Sequence, residues 1–90
     1  MIVEVWFFAD SYRKSEPPFG MAYRPHFVIK GTEEYLGIQF RNLKNAPYGE
    51  HIKCDIELLY EGVNYSRLIT GVEFEIREGP HVVGEDVVIS

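Results

Sequence analysis

The sequence predicts an all-β domain, built either as an antiparallel barrel or as a sandwich. Short stretches in which apolar and polar residues alternate recur along the whole chain, with glycine, proline and asparagine between them. No stretch keeps the helical spacing of apolar residues for more than about ten residues. Closing the sheet would remove the exposed strand edges that a small β domain must otherwise protect.

Six stretches carry the strand pattern. In chain order they are residues 2–9, 26–30, 35–41, 50–60, 72–77 and 82–90. Residues 10–20 are polar and then rich in proline and glycine, which predicts a loop. Residues 63–70 carry the weakest signal, and we expect an extended arm or a short strand there.

The predicted core follows from the alternation. Period-two spacing places on one side of the first and fourth strands the residues Val3, Val5, Phe7, Ile52, Cys54, Ile56 and Leu58. The last two strands form a hairpin whose turn is Gly79-Pro80. Gly84 interrupts the returning strand, where a glycine indicates a bulge or a close approach of another backbone.

Composition limits the function classes. The 90 residues form one domain, residues 1–90, with a net charge of −5. Residues 1–44 hold six basic and five acidic residues, whereas residues 45–90 hold three and nine. This balance excludes indiscriminate nucleic-acid binding but leaves room for a small basic patch. With one cysteine, no disulfide within the chain can form, which predicts a cytoplasmic location. We expect neither a signal peptide nor a membrane span.

Two motifs resemble a known family. Residues 19–27, Phe-Gly-Met-Ala-Tyr-Arg-Pro-His-Phe, are similar to the Tyr-Arg-Pro-x-Phe segment of the C-terminal domain of elongation factor Tu. Residues 72–84 resemble its Arg-Phe-x-Ile-Arg-Glu-Gly-x-x-Thr-Val-Gly segment. The resemblance spans nearly the whole chain in the family's order. It implies a closed six-stranded antiparallel β-barrel, which in the family contacts aminoacyl-tRNA, an exchange factor and the GTPase domain of its own chain.

The chain departs from that family where tRNA contacts are expected. The family's Gly-Gly-Arg-Thr turn is Gly79-Pro80-His81-Val82 here, and its Gly-Ala-Gly is Gly84-Glu85-Asp86. These changes remove a basic residue and add two acidic ones. The chain also lacks the Gly-x-x-x-x-Gly-Lys-Ser/Thr motif, so we expect no GTP site on it.

Two binding functions follow, and neither requires a cofactor. The first hypothesis is a non-enzymatic module that engages a protein partner or a second copy of itself. The alternative is a module for RNA that resembles tRNA, related to translation. The candidate contact residues for either are Arg13, Lys14, Tyr23, Arg24, His26, Lys30, Arg77, Glu78 and Gly79. A purely structural interpretation is that Arg24 and Arg77 brace neighbouring loops and that Gly79 supplies a positive φ.

Two further surfaces are candidates for binding. If the fourth and fifth strands are close, an acidic patch would form from Asp55, Glu57, Glu73 and Glu75. Such a patch would suit a basic partner, although a merely solubilising surface explains it as well. Trp6 and Phe8 share a face with Glu4, and an exposed aromatic pair would mark a binding surface.

We expect neither catalysis nor metal binding. His51 and Cys54 resemble a ligand pair, but residues three apart on a strand point to opposite faces. The paired carboxylates lie on presumed solvent faces, where their pKa values would not be driven apart as catalysis requires. No serine lies in a recognisable nucleophile motif.

Overall fold

A computed structural model describes residues 1–9, 23–41, 43 and 48–90. These residues form six strands: β1 (Ile2–Phe7), β2 (His26–Ile29), β3 (Leu36–Phe40), β4 (His51–Leu58), β5 (Glu73–Glu78) and β6 (His81–Val88). The strands close into a barrel in the order β1-β4-β3-β2-β5-β6, and every neighbouring pair is antiparallel. The predicted all-β closed barrel is therefore confirmed. The described residues contain no helical segment with the length and hydrophobicity of a membrane span.

Four phenylalanines fill the barrel interior. Phe7, Phe27, Phe40 and Phe74 are each at most 1% exposed. Phe27 on β2 stacks on Phe74 of β5 with ring centroids 3.9 Å apart. Burying each of these rings contributes roughly 1.5–3 kcal/mol. Because the rings come from four different strands, the barrel closes around a single core.

The predicted alternation holds for β1 and only in part for β4. The three predicted core residues of β1, Val3, Val5 and Phe7, are all buried. On β4, Cys54 and Ile56 are buried, but Leu58 is 43% exposed. The pairing of β4 with β1 ends at Asp55 opposite Ile2, so Leu58 has a paired neighbour on β3 alone. Leu58 therefore lies at the open end of the barrel and not in its core.

Residues 59–72 form turns, so the short strand considered at 63–70 is absent. The segment is nevertheless anchored to the barrel. Leu68 is 2% exposed and joins the core. The Tyr65 hydroxyl donates a hydrogen bond to the Gly37 carbonyl of β3 at 2.6 Å. A buried leucine and a tyrosine hydroxyl thus fix a segment that has no partner strand. The loop predicted at residues 10–20 lies outside the described residues.

The β5–β6 hairpin has the two-residue turn that its sequence predicts. Glu78 pairs with His81, and Gly79 has a φ of +58°. A positive φ at the first central residue followed by proline, whose ring holds φ near −65°, fits a type II′ turn. This turn matches the twist of the two strands.

Both features that the position of Gly84 predicts are present, namely a bulge in the strand and a close approach of another backbone. Ile76 pairs with Gly84 while the next residue, Arg77, pairs with Val82, so Val83 is an additional residue in β6. Gly84 also touches β1, since a methyl group placed on it would lie 2.5 Å from the Trp6 carbonyl oxygen. The glycine therefore allows β6 to bend and to lie close against β1.

Candidate functional site

A cleft of about 390 Å³ lies on the outside of the barrel. It crosses β4, β1, β6 and β5, which are consecutive in the closed sheet. Its lining residues are Trp6, Phe8, Lys30, His51, Glu73, Glu85, Asp86 and Val87. An aromatic pair, an aliphatic side chain and several charges therefore share one concave surface.

Aromatic side chains form the apolar part of the cleft. Trp6 and Phe8 are both partly exposed and lie outside the core, as the alternation of β1 predicts. The Trp6 ring contacts the His51 imidazole edge-on, with centroids 4.4 Å apart. Trp6 is the one tryptophan of the chain. Its fluorescence therefore reports on this cleft alone.

The charged part of the cleft is predominantly acidic. Lys30 Nζ lies 3.7 Å from Glu73 Oε1 and 3.5 Å from Glu85 Oε2. Exposed pairs of this kind contribute at most about 1 kcal/mol each. Lys30 is shared between two carboxylates, and Asp86, the third carboxylate of the lining, is paired with His51. Such a surface attracts cations and repels phosphate.

A histidine and two carboxylates meet at the edge of the cleft. His51 Nδ1 lies 2.5 Å from Asp86 Oδ2 and 3.3 Å from Glu4 Oε1. The hydrogen bond to Asp86, assisted by the charges of Asp86 and Glu4, raises the pKa of His51 above its usual 6.5. Sequence reasoning considered His51 only together with Cys54, rejected that pair, and did not identify this cluster. Its members lie on three strands that are distant in sequence, and no local motif connects them.

The raised pKa of His51 predicts how stability depends on pH. His51 binds its proton more tightly in the folded state than in the unfolded chain. The stabilisation of the folded state by this proton is therefore complete below pH 6.5 and is lost as the pH rises through the folded-state pKa. Urea unfolding from about pH 5.5 to about pH 8.5 in buffer with a chelator should show this decline. Asp86→Asn should flatten it, because the asparagine carries no charge. An identical slope in both proteins would contradict the assignment.

Arg77, a predicted contact residue, is engaged within the barrel. Its guanidinium donates hydrogen bonds to Glu75 at 2.6 Å, to Glu33 at 3.2 Å and to the Tyr35 hydroxyl at 3.2 Å. The guanidinium also lies over the Tyr35 ring. These hydrogen bonds, first to Tyr35 and then to Glu75, raise the pKa of Arg77 further. The side chain is only 15% exposed, so the bracing interpretation fits it better than phosphate contact.

The structure brings three other predicted contact residues close to Arg77: His26 and Gly79 around Tyr35, and Lys30 in a second pocket that Arg77 also lines. The Tyr23 hydroxyl donates a hydrogen bond to Glu78 at 2.5 Å, and the Tyr35 hydroxyl donates one to the Gly79 carbonyl at 3.1 Å. The His26 ring contacts the Tyr35 ring edge-on. Arg24 is exposed, and Lys30 lies in the cleft. Arg13 and Lys14 fall outside the described residues.

The predicted acidic patch does not form. β4, which carries Asp55 and Glu57, and β5, which carries Glu73 and Glu75, lie on opposite sides of the barrel, with two strands between them in either direction. Each carboxylate also has a cation nearby. Asp55 lies 3.0 Å from the Met1 ammonium, which holds the pKa of Asp55 below its usual value. Arg41 lies 3.7 Å from Glu57, while Lys30 and Arg77 neighbour Glu73 and Glu75. The prediction that these four carboxylates form one acidic surface is therefore wrong.

Cys54 lies on the core side of β4, opposite to His51, as the spacing predicts. It is 8% exposed, and burial raises the pKa of its thiol to about 12. A thiol with such a pKa is a poor nucleophile and a poor metal ligand.

Comparison with known proteins adds no assignment, since no family model matches the sequence and no solved structure gives a significant match.

Proposed function

We propose that the protein is a non-enzymatic binding module, resembling the C-terminal domain of elongation factor Tu, whose outer cleft binds a basic segment of a protein partner. The observation that carries this proposal is the combination of Trp6 and Phe8 with Glu73, Glu85 and Asp86 in one cleft. The closed sheet offers no free strand edge among the described strands. Recognition would therefore use side chains in the cleft and not strand addition.

The chemistry of the cleft selects its ligand. An arginine or lysine over the Trp6 face would gain about 0.5–2 kcal/mol from the cation–π interaction. Its charged end would meet carboxylates that Lys30 neutralises only in part. Phe8 and Val87 offer apolar surface for neighbouring aliphatic side chains. A segment that alternates basic and aliphatic residues satisfies all three features.

The tryptophan fluorescence of the cleft gives a direct binding test. A short peptide of alternating lysine and leucine should change Trp6 emission with a dissociation constant in the micromolar range, on the order of −8 kcal/mol. The same peptide with glutamate in place of lysine should leave the emission unchanged. If both peptides act alike, the cleft does not select for basic character.

Trp6→Ala should weaken the binding of the lysine–leucine peptide about 30-fold, because a central aromatic residue of an interface commonly carries about 2 kcal/mol. Fluorescence anisotropy of a labelled peptide measures this without the tryptophan. Glu85→Gln should weaken binding less. Glu57→Gln is the matched control, since it removes a carboxylate on β4 outside the cleft. Equal losses for Glu85→Gln and Glu57→Gln would show that only net charge matters.

RNA binding, the alternative, is tested by titration with tRNA at two salt concentrations. Each phosphate contact would add roughly 0.9 to the log–log salt dependence. Arg77 is bonded internally and Lys30 is shared between two carboxylates, so we expect little binding even at low salt. Tight, salt-dependent binding of tRNA without peptide binding would replace the proposal. Sedimentation of the protein alone, without peptide, tests whether the partner is a second copy of the chain, since a dimer would sediment faster than a monomer.

A further inference from the structure

We propose that Glu4, His51 and Asp86 form a binding site for a divalent transition-metal ion, with Zn²⁺ as the representative ion. Each of the three residues contributes one candidate ligand atom, and these atoms all lie within 4.8 Å of one another. The set consists of one imidazole nitrogen and two carboxylate oxygens. Two of its members, His51 and Asp86, also line the cleft, but ion binding does not depend on a peptide there.

The sheet positions these three side chains in advance. Glu4 lies on β1, which pairs with β4 on one side and with β6 on the other. In that register Trp6 is opposite His51 and Val5 is opposite Asp86. Backbone hydrogen bonds on both sides of β1 therefore set the separation of all three ligands. A site on paired strands loses little conformational freedom when it binds an ion.

The orientation and accessibility of the ligands suit an ion from solvent. The edge contact with Trp6 holds the His51 ring, and Nδ1 faces both carboxylates. The Asp86 side chain is only 10% exposed, whereas those of Glu4 and His51 are 31% and 53% exposed. The site is thus anchored at Asp86 and open at His51. Three protein ligands leave one tetrahedral position for water or for another donor.

The donor set selects the class of metal. Imidazole favours Zn²⁺, Cu²⁺, Ni²⁺ and Co²⁺, whereas Mg²⁺ and Ca²⁺ prefer oxygen ligands alone. Two carboxylates and a neutral imidazole balance the charge of one divalent ion. Lys30, the nearest lysine of the cleft lining, is paired with Glu73 and Glu85 and not with these ligands. Lys53 lies opposite Glu4 on β4, so it is the described lysine whose charge would oppose a bound ion.

Metal binding requires a small rearrangement of the cluster. Ligand atoms about 2.0–2.1 Å from a tetrahedral ion are roughly 3.3 Å apart. The Nδ1 to Glu4 distance of 3.3 Å already fits, while the 2.5 Å between Nδ1 and Asp86 must lengthen. The proton that His51 shares with Asp86 leaves for solvent when the ion takes its place. Proton and metal therefore compete for the same position.

The test is titration of the chelator-treated protein with Co²⁺ and Zn²⁺. We expect a Co²⁺ absorption band in the visible region, saturation at one ion per chain, and displacement by Zn²⁺. His51→Gln and Glu4→Gln should each weaken binding at least tenfold, about 1.4 kcal/mol. His81→Gln, which removes an exposed histidine at the start of β6, should have no effect.

The histidine ring signals in NMR spectra of the unmutated protein give a second measurement that does not depend on folding of the variants. The chain has three histidines, and on adding Zn²⁺ only the signals of His51 should shift strongly. If His26 or His81 shifts instead, or if His51→Gln binds Co²⁺ as tightly as the unmutated protein, the site is wrong. Peptide binding is to be measured separately, in buffer that contains a chelator, so failure of metal binding would leave the peptide proposal standing.

Discussion

Replacing Phe74 with alanine is expected to lower the free energy of unfolding by about 3–5 kcal/mol. Phe74 is fully buried and stacks on Phe27 with centroids 3.9 Å apart, so truncation removes one half of the central ring pair. The paired strands β2 and β5 fix the backbone on both sides, and the space cannot collapse easily. A domain of this size has roughly 5–13 kcal/mol of stability in total. Phe74→Ala should therefore be close to unfolding at room temperature.

Urea unfolding followed by both circular dichroism and Trp6 fluorescence measures this loss. Coincident transitions justify a two-state treatment. Ile69→Ala is the matched control, because that side chain is apolar but 60% exposed, and its truncation should change stability by less than about 0.5 kcal/mol. Similar losses for the two variants would contradict the assignment of the core to this ring pair.

Gly84→Ala is expected to destabilise the barrel by about 3 kcal/mol, at the upper end of the cost of overpacking. The added methyl group would lie 2.5 Å from the Trp6 carbonyl oxygen and 3.3 Å from Phe7 Cα. Both are backbone atoms of β1, so β1 and β6 must separate to admit it. Because Trp6 and β6 also border the cleft, the variant should bind the basic peptide more weakly.

Gly37→Ala is the control for this substitution, since Gly37 is also a glycine within a strand. There the added methyl group would meet the Tyr60 ring at 2.2 Å, but Tyr60 is 54% exposed and can swing into solvent. We expect a change of less than about 1 kcal/mol, because alanine also restricts the unfolded chain. Chemical denaturation of both variants decides the matter. Equal effects would mean that strand propensity, and not contact with β1, governs Gly84.

The difference between local patterns and contacts that are distant in sequence explains which features of the site were predictable. Trp6 and Phe8 could be placed outside the core because alternation along β1 is a local property. The acidic patch could not be judged, since it depended on whether β4 and β5 are neighbours, and the barrel places them on opposite sides. Arg77 could be recognised as a special residue, but its three acceptors lie on Glu33, Tyr35 and Glu75, two of them far away in sequence.

Local patterns in the sequence were sufficient to place the strand segments, most of the core, the hairpin turn and the special position of Gly84. Each of these follows from interactions within a few residues: period-two alternation, turn chemistry and the missing side chain of glycine. The order of the strands, in contrast, is known from the closed barrel alone. It brought Glu4, His51 and Asp86 together through the pairing of β1 with both β4 and β6. Strand order depends on how the whole sheet closes, so a site built across several strands is absent from any local pattern.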